Sequence, residues 1–270
     1  MKSNSARLRR LTIFFSATLG CAICSCGNVT KGPFDGTWKL DLNQSSFSPE
    51  PFVFSVSNGM YDCDSCVPKI HIKADGNEQA LTSHSKYTIA AKEVDSHTIR
   101  VVTRTDGKTV YEQVATASKD GRTLEVERND FPLAGGKPKV TKYEYERLGD
   151  ALANANSTSG SWRMREVNVS ENGRLVTLEN IGSELAASSP LGISWKARYD
   201  GKDFPVNGSY STDSVSLRKI NDREVVATYK QGGNVARIDD MTVSADGNTL
   251  TTRSRSVQSG RSTIYVQTRQ

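Results

Sequence analysis

Ser118-Lys-Asp-Gly-Arg-Thr-Leu124 returns as Ser244-Ala-Asp-Gly-Asn-Thr-Leu250, and that recurrence decides the fold. The same shift of 126 residues carries Ile89 onto Val215, Val94 onto Ile220, Ile99 onto Val225 and Arg104 onto Lys230 without a gap. With small slips the correspondence extends outward. Gly36-Thr-Trp38 matches Gly160-Ser-Trp162, Asp75-Gly76 matches Asp200-Gly201, and Tyr143 and Arg147 match Tyr265 and Arg269. Self-similarity at this period marks tandem copies of one folding unit. At about 110–120 residues, each copy is large enough for a core of its own.

Within each copy the apolar residues alternate, as half-buried strands require. Trp38–Leu42, Phe52–Val56, Lys69–Lys73, Lys86–Lys92, Thr98–Arg104, Thr109–Ser118, Thr123–Arg128 and Val140–Leu148 are the strand candidates of the first copy. Asp106-Gly107 and Asp120-Gly121 fall between adjacent candidates, a strong hairpin signal. The second copy repeats the pattern from Trp162–Val169 to Thr263–Thr268, with one helical turn expected at Ile181–Ala187. The expected fold is all-β: two tandem antiparallel meanders, each a barrel or a curled sheet, behind an N-terminal signal peptide. The boundaries read as signal peptide 1–25, tether 26–33, first β repeat 34–148, linker 149–160 and second β repeat 161–270. Each repeat is expected to use its own Trp-bearing first strand and to fold independently.

The formal charge of +5 includes Lys2, Arg7, Arg9 and Arg10, and removing these four leaves +1. A nearly neutral mature chain with interspersed charges does not suit nucleic acid. Residues 1–10 are basic and polar, and Leu11–Cys26 is apolar and small, which is the build of an export signal. Ile23-Cys-Ser-Cys26 resembles the lipobox of bacterial lipoproteins, with Cys21 after Thr18-Leu-Gly as the alternative lipidated residue. That resemblance implies a palmitate-type lipid anchor on Cys26 and a place in the bacterial cell envelope. Gly27 in the next position implies the outer membrane, facing the periplasm. Export followed by plain cleavage is the competing reading.

The Gly36-Thr-Trp38 and Gly160-Ser-Trp162 openings resemble the Gly-x-Trp start of the calycins (lipocalins and fatty-acid-binding proteins). A closer resemblance is to uncharacterised bacterial envelope proteins with Gly-Thr-Trp-Lys-Leu, then Tyr199–Gly208, then Ser244–Leu250. The calycin likeness implies a cavity for a small apolar ligand, making Trp38 and Trp162 ligand-contact candidates against plain core packing. Cys63-Asp-Ser-Cys66 occurs in one copy only and admits a disulfide, half a zinc site or a redox pair. An oxidising compartment favours the disulfide. His71, His84 and His97 lie in this copy too, but default to solvated histidine. No catalytic spacing occurs, Asp239-Asp240 reads as solvent-facing strand charge, and no cofactor, metal or enzyme activity is expected. The expected function is a binding module for a small apolar or amphiphilic ligand or a partner protein. A structural or interaction lipoprotein with filled cores is the alternative.

Overall fold

The computed structural model describes residues 31–81 and 86–270. Residues 1–25, the tether up to residue 30, Cys21, Cys26 and His84 lie outside them. The chain is nearly all β. Its strands are β1 Gly36–Ser46, β2 Phe52–Ser57, β3 Met60–Cys63, β4 Ile70–Lys73, β5 Gln79–Ala80, β6 Tyr87–Asp95, β7 Thr98–Thr105, β8 Lys108–Ala117, β9 Thr123–Asp130 and β10 Lys139–Leu148. The second half holds β11 Gly160–Val169, β12 Leu175–Ile181, β13 Glu184–Ser188, β14 Ser194–Arg198, β15 Phe204–Asn207, β16 Ser214–Asn221, β17 Glu224–Gln231, β18 Asn234–Val243, β19 Thr249–Ser256 and β20 Ser262–Arg269. A single helical turn, α1 (Glu171–Arg174), precedes β12. Each copy has two short strands that its sequence concealed: β3 and β5, and β13 and β15. The expected helical turn at Ile181–Ala187 is instead the hairpin of β12 and β13, turning at Gly182 with φ 62°.

The strands form two ten-stranded antiparallel sheets. One is a closed barrel with the order β1-β12-β13-β14-β15-β16-β17-β18-β19-β20. The other runs β4-β3-β2-β11-β10-β9-β8-β7-β6-β5 and curls into a barrel whose seam is bridged by side chain and loop. There the Gln79 carboxamide accepts from the Lys73 N–H and donates to the Lys73 carbonyl, each at 3.0 Å. Gly76 N–H donates to the Ala91 carbonyl at 2.8 Å, carrying the chain after β4 onto β6.

The orders show that the leading strands are exchanged. β1 opens the first repeat but pairs with β20 and β12 of the second. β11 opens the second repeat but pairs with β10 and β2 of the first. The expectation that each repeat contains its own Trp strand is therefore corrected, and with it the partition at 34–148 and 161–270. The physical reason is local. A meander pairs sequence neighbours, and β11 lies directly after β10, so it takes the site beside β10. The second set of strands is then one strand short, and β1, with nearly the same sequence, fills the gap. The first barrel is thus continuous from β2 to β11. It is inserted into the second barrel between β1 and β12, through the connections 47–51 and 170–174.

Lys31–Gln270 is one compact unit with two cores. Trp162 is buried in the core of the first barrel and Trp38 in that of the second. The segment before each tryptophan closes the barrel floor. Trp162 Nε1 donates to the Thr158 carbonyl and Trp38 Nε1 to the Phe34 carbonyl, both at 2.9 Å. Residues 149–160 are accordingly no loose linker. Asn156, Thr158 and Ser159 are buried, and Asn156 Nδ2 donates to Glu93 at 2.8 Å and to the Asp95 carbonyl at 2.6 Å.

Candidate functional site, a cavity where the two barrels meet

Each exchanged strand leaves its inserted neighbour early. β1 pairs with β12 only over Gly36–Lys39, and β11 with β2 only over Gly160–Trp162. Beyond these points neither ladder continues. A cavity of about 650 Å³ lies there, with Leu40, Met164 and Val167 of the exchanged strands in its wall. It reaches Leu178 and Leu250 inside the second barrel and Phe52, Tyr143 and Tyr145 of the first.

The two interiors differ in bulk at equivalent positions, and register makes the equivalence explicit. Phe54 faces Gly160 where Leu178 faces Gly36, and Phe52 faces Trp162 where Val176 faces Trp38. Tyr61 lies opposite Ile72 where Leu185 lies opposite Ala197. Tyr145 lies opposite Leu124 where Gln267 lies opposite Leu250. Four aromatic rings of the first barrel are thus replaced by smaller side chains in the second, while Ile70, Thr103 and Ala115 of the first give way to the larger Trp195, Tyr229 and Met241. In the first interior the rings pack on one another, with Phe52–Phe54, Phe54–Tyr61 and Tyr143–Tyr145 centroids 4.9, 6.0 and 5.8 Å apart, and Phe52, Tyr143 and Tyr145 also form its wall of the cavity. The second keeps a space. A small barrel does one or the other according to side-chain volume.

Inside that space stands a charged pair. Arg237 and Asp239 share the inward face of β18 with Met241 and Val243, because residues two apart point the same way. Arg237 Nε and Asp239 Oδ1 lie 3.1 Å apart but off hydrogen-bond alignment. Burial pushes the Asp239 carboxyl above its usual range, opposed by Arg237 and Ser254. The guanidinium stacks 4.0 Å above the Tyr229 ring, and burial pushes the Tyr229 phenol up to about 12. Arg237 still exposes 42% of its side chain, and both it and Tyr229 line the cavity.

The first barrel has its own charged cluster, and the second barrel plugs it. Arg128 donates to Asp130 Oδ1 at 2.9 and 2.7 Å, and Lys139 pairs with Asp130 Oδ2 at 2.8 Å. Tyr210, on the loop between β15 and β16, accepts from Arg128 at 2.7 Å and donates to Asp130 at 3.0 Å. Tyr87 donates to the Tyr210 carbonyl. Burial pushes Asp130 up, but Arg128 and Lys139 outweigh it and hold the carboxyl low. These bonds join the barrels at a point other than the two connections.

The residues singled out from sequence fall elsewhere. Trp38 and Trp162 lie in the barrel floors, fully buried, and neither lines the cavity. Cys63 and Cys66 are bonded, with S–S 2.01 Å and Cα–Cα 5.4 Å. Among the described residues no His, Cys, Asp and Glu group could hold a metal. His71 bonds Asp62, and His97 Nδ1 lies 2.9 Å from Ser96 Oγ. Asp239 is buried at 7% exposure, which corrects its reading as a solvent-facing charge, while Asp240 is exposed. Its parity with Met241 and Val243 was the available signal. No family model matches the chain, and no curated protein is significantly similar to it.

Proposed function

We propose that this protein is a non-catalytic binding protein of the bacterial cell envelope. It is anchored through lipidated Cys26 to the outer membrane on its periplasmic side, and it holds a small apolar or amphiphilic ligand in the cavity between its barrels. One observation carries the ligand reading: a cavity of about 650 Å³ is walled by both barrels, and Val176, Leu178 and Gln267 stand on it where the first barrel has Phe52, Phe54 and Tyr145 at the equivalent positions. That volume falls within the range of small-molecule sites, about 300–1,000 Å³, and its wall mixes apolar side chains with many polar and charged ones, which suits an amphiphile. The anchor rests on the leader sequence, since several acyl chains at about 0.8 kcal/mol per CH₂ hold a protein durably.

The ring-packed interior of the first barrel favours a second reading for that half alone, a structural module that completes the cavity wall. Native mass spectrometry of the mature protein tests the main reading. A bound small molecule is expected, and it should be absent from an Ala187→Phe variant that fills the cavity. A mature protein free of adducts that also takes up no added amphiphile would leave the structural reading. Separately, Cys26→Ser should abolish acyl labelling in a bacterial host, and labelling lost only in Cys21→Ser would move the anchor.

A further inference from the structure

The charged residues around the cavity are unbalanced. Lys139, Arg174, Arg237 and Arg261 line it, against Glu50 and Asp239. Three of the cations have carboxylate partners: Lys139 with Asp130 at 2.8 Å, Arg261 with Glu50 at 3.2 Å, and Arg237 with Asp239 at 3.1 Å. Arg174 has none within ion-pair distance among the described residues, and its Nε donates to the Val169 carbonyl at 2.9 Å. Asp239 engages Arg237 without hydrogen-bond alignment, Arg237 Nε is buried without a hydrogen-bond partner, and the side chain, 42% exposed, lines the cavity. A guanidinium fixed against an aromatic face with free N–H groups is suited to a planar or tetrahedral anion. Apolar and aromatic groups line the same cavity, Leu178, Met241 and Leu250 from its own barrel and Phe52, Tyr143 and Tyr145 from the other.

We infer that the ligand is a single-chain amphiphile with one anionic head group, carboxylate or phosphate. Its head is held by Arg237, with Arg174 as a second cation on the cavity wall, and its chain lies against the apolar wall that both barrels build. This rests on the binding reading above and narrows it. Neutral and cationic amphiphiles of the same chain length lack the charge-assisted bond, worth about 1.5–3 kcal/mol, so the preference should be about tenfold or more.

The test uses the fluorescence of Trp195, the tryptophan that lines the cavity. Mature protein is titrated, below micelle concentrations, with dodecanoate, dodecyl phosphate, dodecyl maltoside and dodecyltrimethylammonium. The anionic probes should bind about tenfold tighter than the other two, and the ratio between the anions identifies the head group. Arg237→Gln should abolish that preference while keeping binding of the neutral probe, which also shows that the variant is folded. Arg174→Gln should weaken the preference and leave the fold intact. Equal affinity for anionic and neutral probes overturns this inference and leaves the binding reading standing. Failure of every probe to bind overturns the binding reading itself.

Discussion

Arg269 lies 4.2 Å above the indole of Trp38, so the last strand of the second repeat is locked to the first strand of the first. Its guanidinium donates to the carbonyls of Gly247 at 2.7 Å, Pro33 at 2.7 Å and Asp35. Arg147 does the same in the other barrel, 4.1 Å above Trp162 and bonded to the carbonyls of Gly121, Ser159 and Ser157. The arrangement explains the glycine of each Gly-x-Trp. A Cβ on Gly36 would meet Arg269 Nη1 at 2.8 Å, and one on Gly160 would meet Arg147 Nη1 at 2.5 Å. Both glycines also have positive φ, 139° and 145°, which side chains rarely adopt.

Arg269→Ala should therefore destabilise the second barrel by about 3 kcal/mol, losing a desolvated cation–π contact and charge-assisted bonds to three carbonyls. Urea melting followed by near-ultraviolet circular dichroism measures it. Arg147→Ala should have a comparable effect on the first barrel. A change under about 0.5 kcal/mol in either, the scale of an ordinary surface substitution, would remove the lock from the account.

Two buried carboxylates should give opposite pH slopes. Asp130 is held below its usual range, so its stabilisation is full above the unfolded value, about 3.9, and is lost as pH falls through the folded value. Asp130→Asn should lose on the order of 3 kcal/mol at neutral pH and show a flatter stability curve below about pH 4. Asp239 is raised, so its contribution is full below about pH 3.9 and is lost as pH rises through its folded value. The stability of Asp239→Asn relative to the parent should therefore increase as pH rises above about 4, whatever constant offset the orphaned Arg237 adds. Parallel slopes for the two variants would contradict this assignment.

The Cys63–Cys66 bond closes a loop of only four residues, so chain entropy limits its contribution to about 2 kcal/mol. Replacing both cysteines by serine should lower the unfolding free energy of the first barrel, measured by urea melting, by about 2 kcal/mol and leave the second barrel unchanged. Alkylation of the unreduced protein should find neither thiol free. Labelling at Cys66 in the folded, unreduced protein would contradict the pairing.

The longer strands were legible because alternation over seven or more residues is unambiguous, as in Thr98–Thr105 and Thr249–Ser256. Gln79–Ala80 is too short to carry a period, and Glu184-Leu-Ala-Ala-Ser188 reads as helix because its residues favour helix when no partner is visible. The strand exchange was hidden for a different reason. Gly36-Thr-Trp38-Lys-Leu40 and Gly160-Ser-Trp162-Arg-Met164 are near-equivalent, so either fits either barrel, and connection length rather than strand sequence selects the partner. The cavity was hidden too, since it depends on comparing ring for aliphatic across a register that sequence alone does not set. Arg237 and Asp239 were within reach, on the same parity as Met241 and Val243.

The exchange makes one last expectation specific. The first barrel, β2 to β11, is continuous in sequence, so residues 48–172 contain every strand of its sheet and both of its floor residues, Thr158 and Trp162. The second barrel lacks β1 in any fragment that starts after residue 46, leaving β12 and β20 with unpaired edges and the floor without Trp38. Residues 48–172 should fold as a cooperative monomer with dispersed amide signals. Residues 173–270 should not, until a peptide of residues 31–47 is added or fused after Gln270 in a circular permutant. A fragment 34–148 has β1 available in place of β11, and should fold less stably than 48–172 because its floor segment, 156–159, is missing. The comparison is decided by the midpoints of the two fragments and by the response of 173–270 to the peptide. If 173–270 is ordered alone, with no gain on adding residues 31–47, strand exchange does not hold the second barrel together.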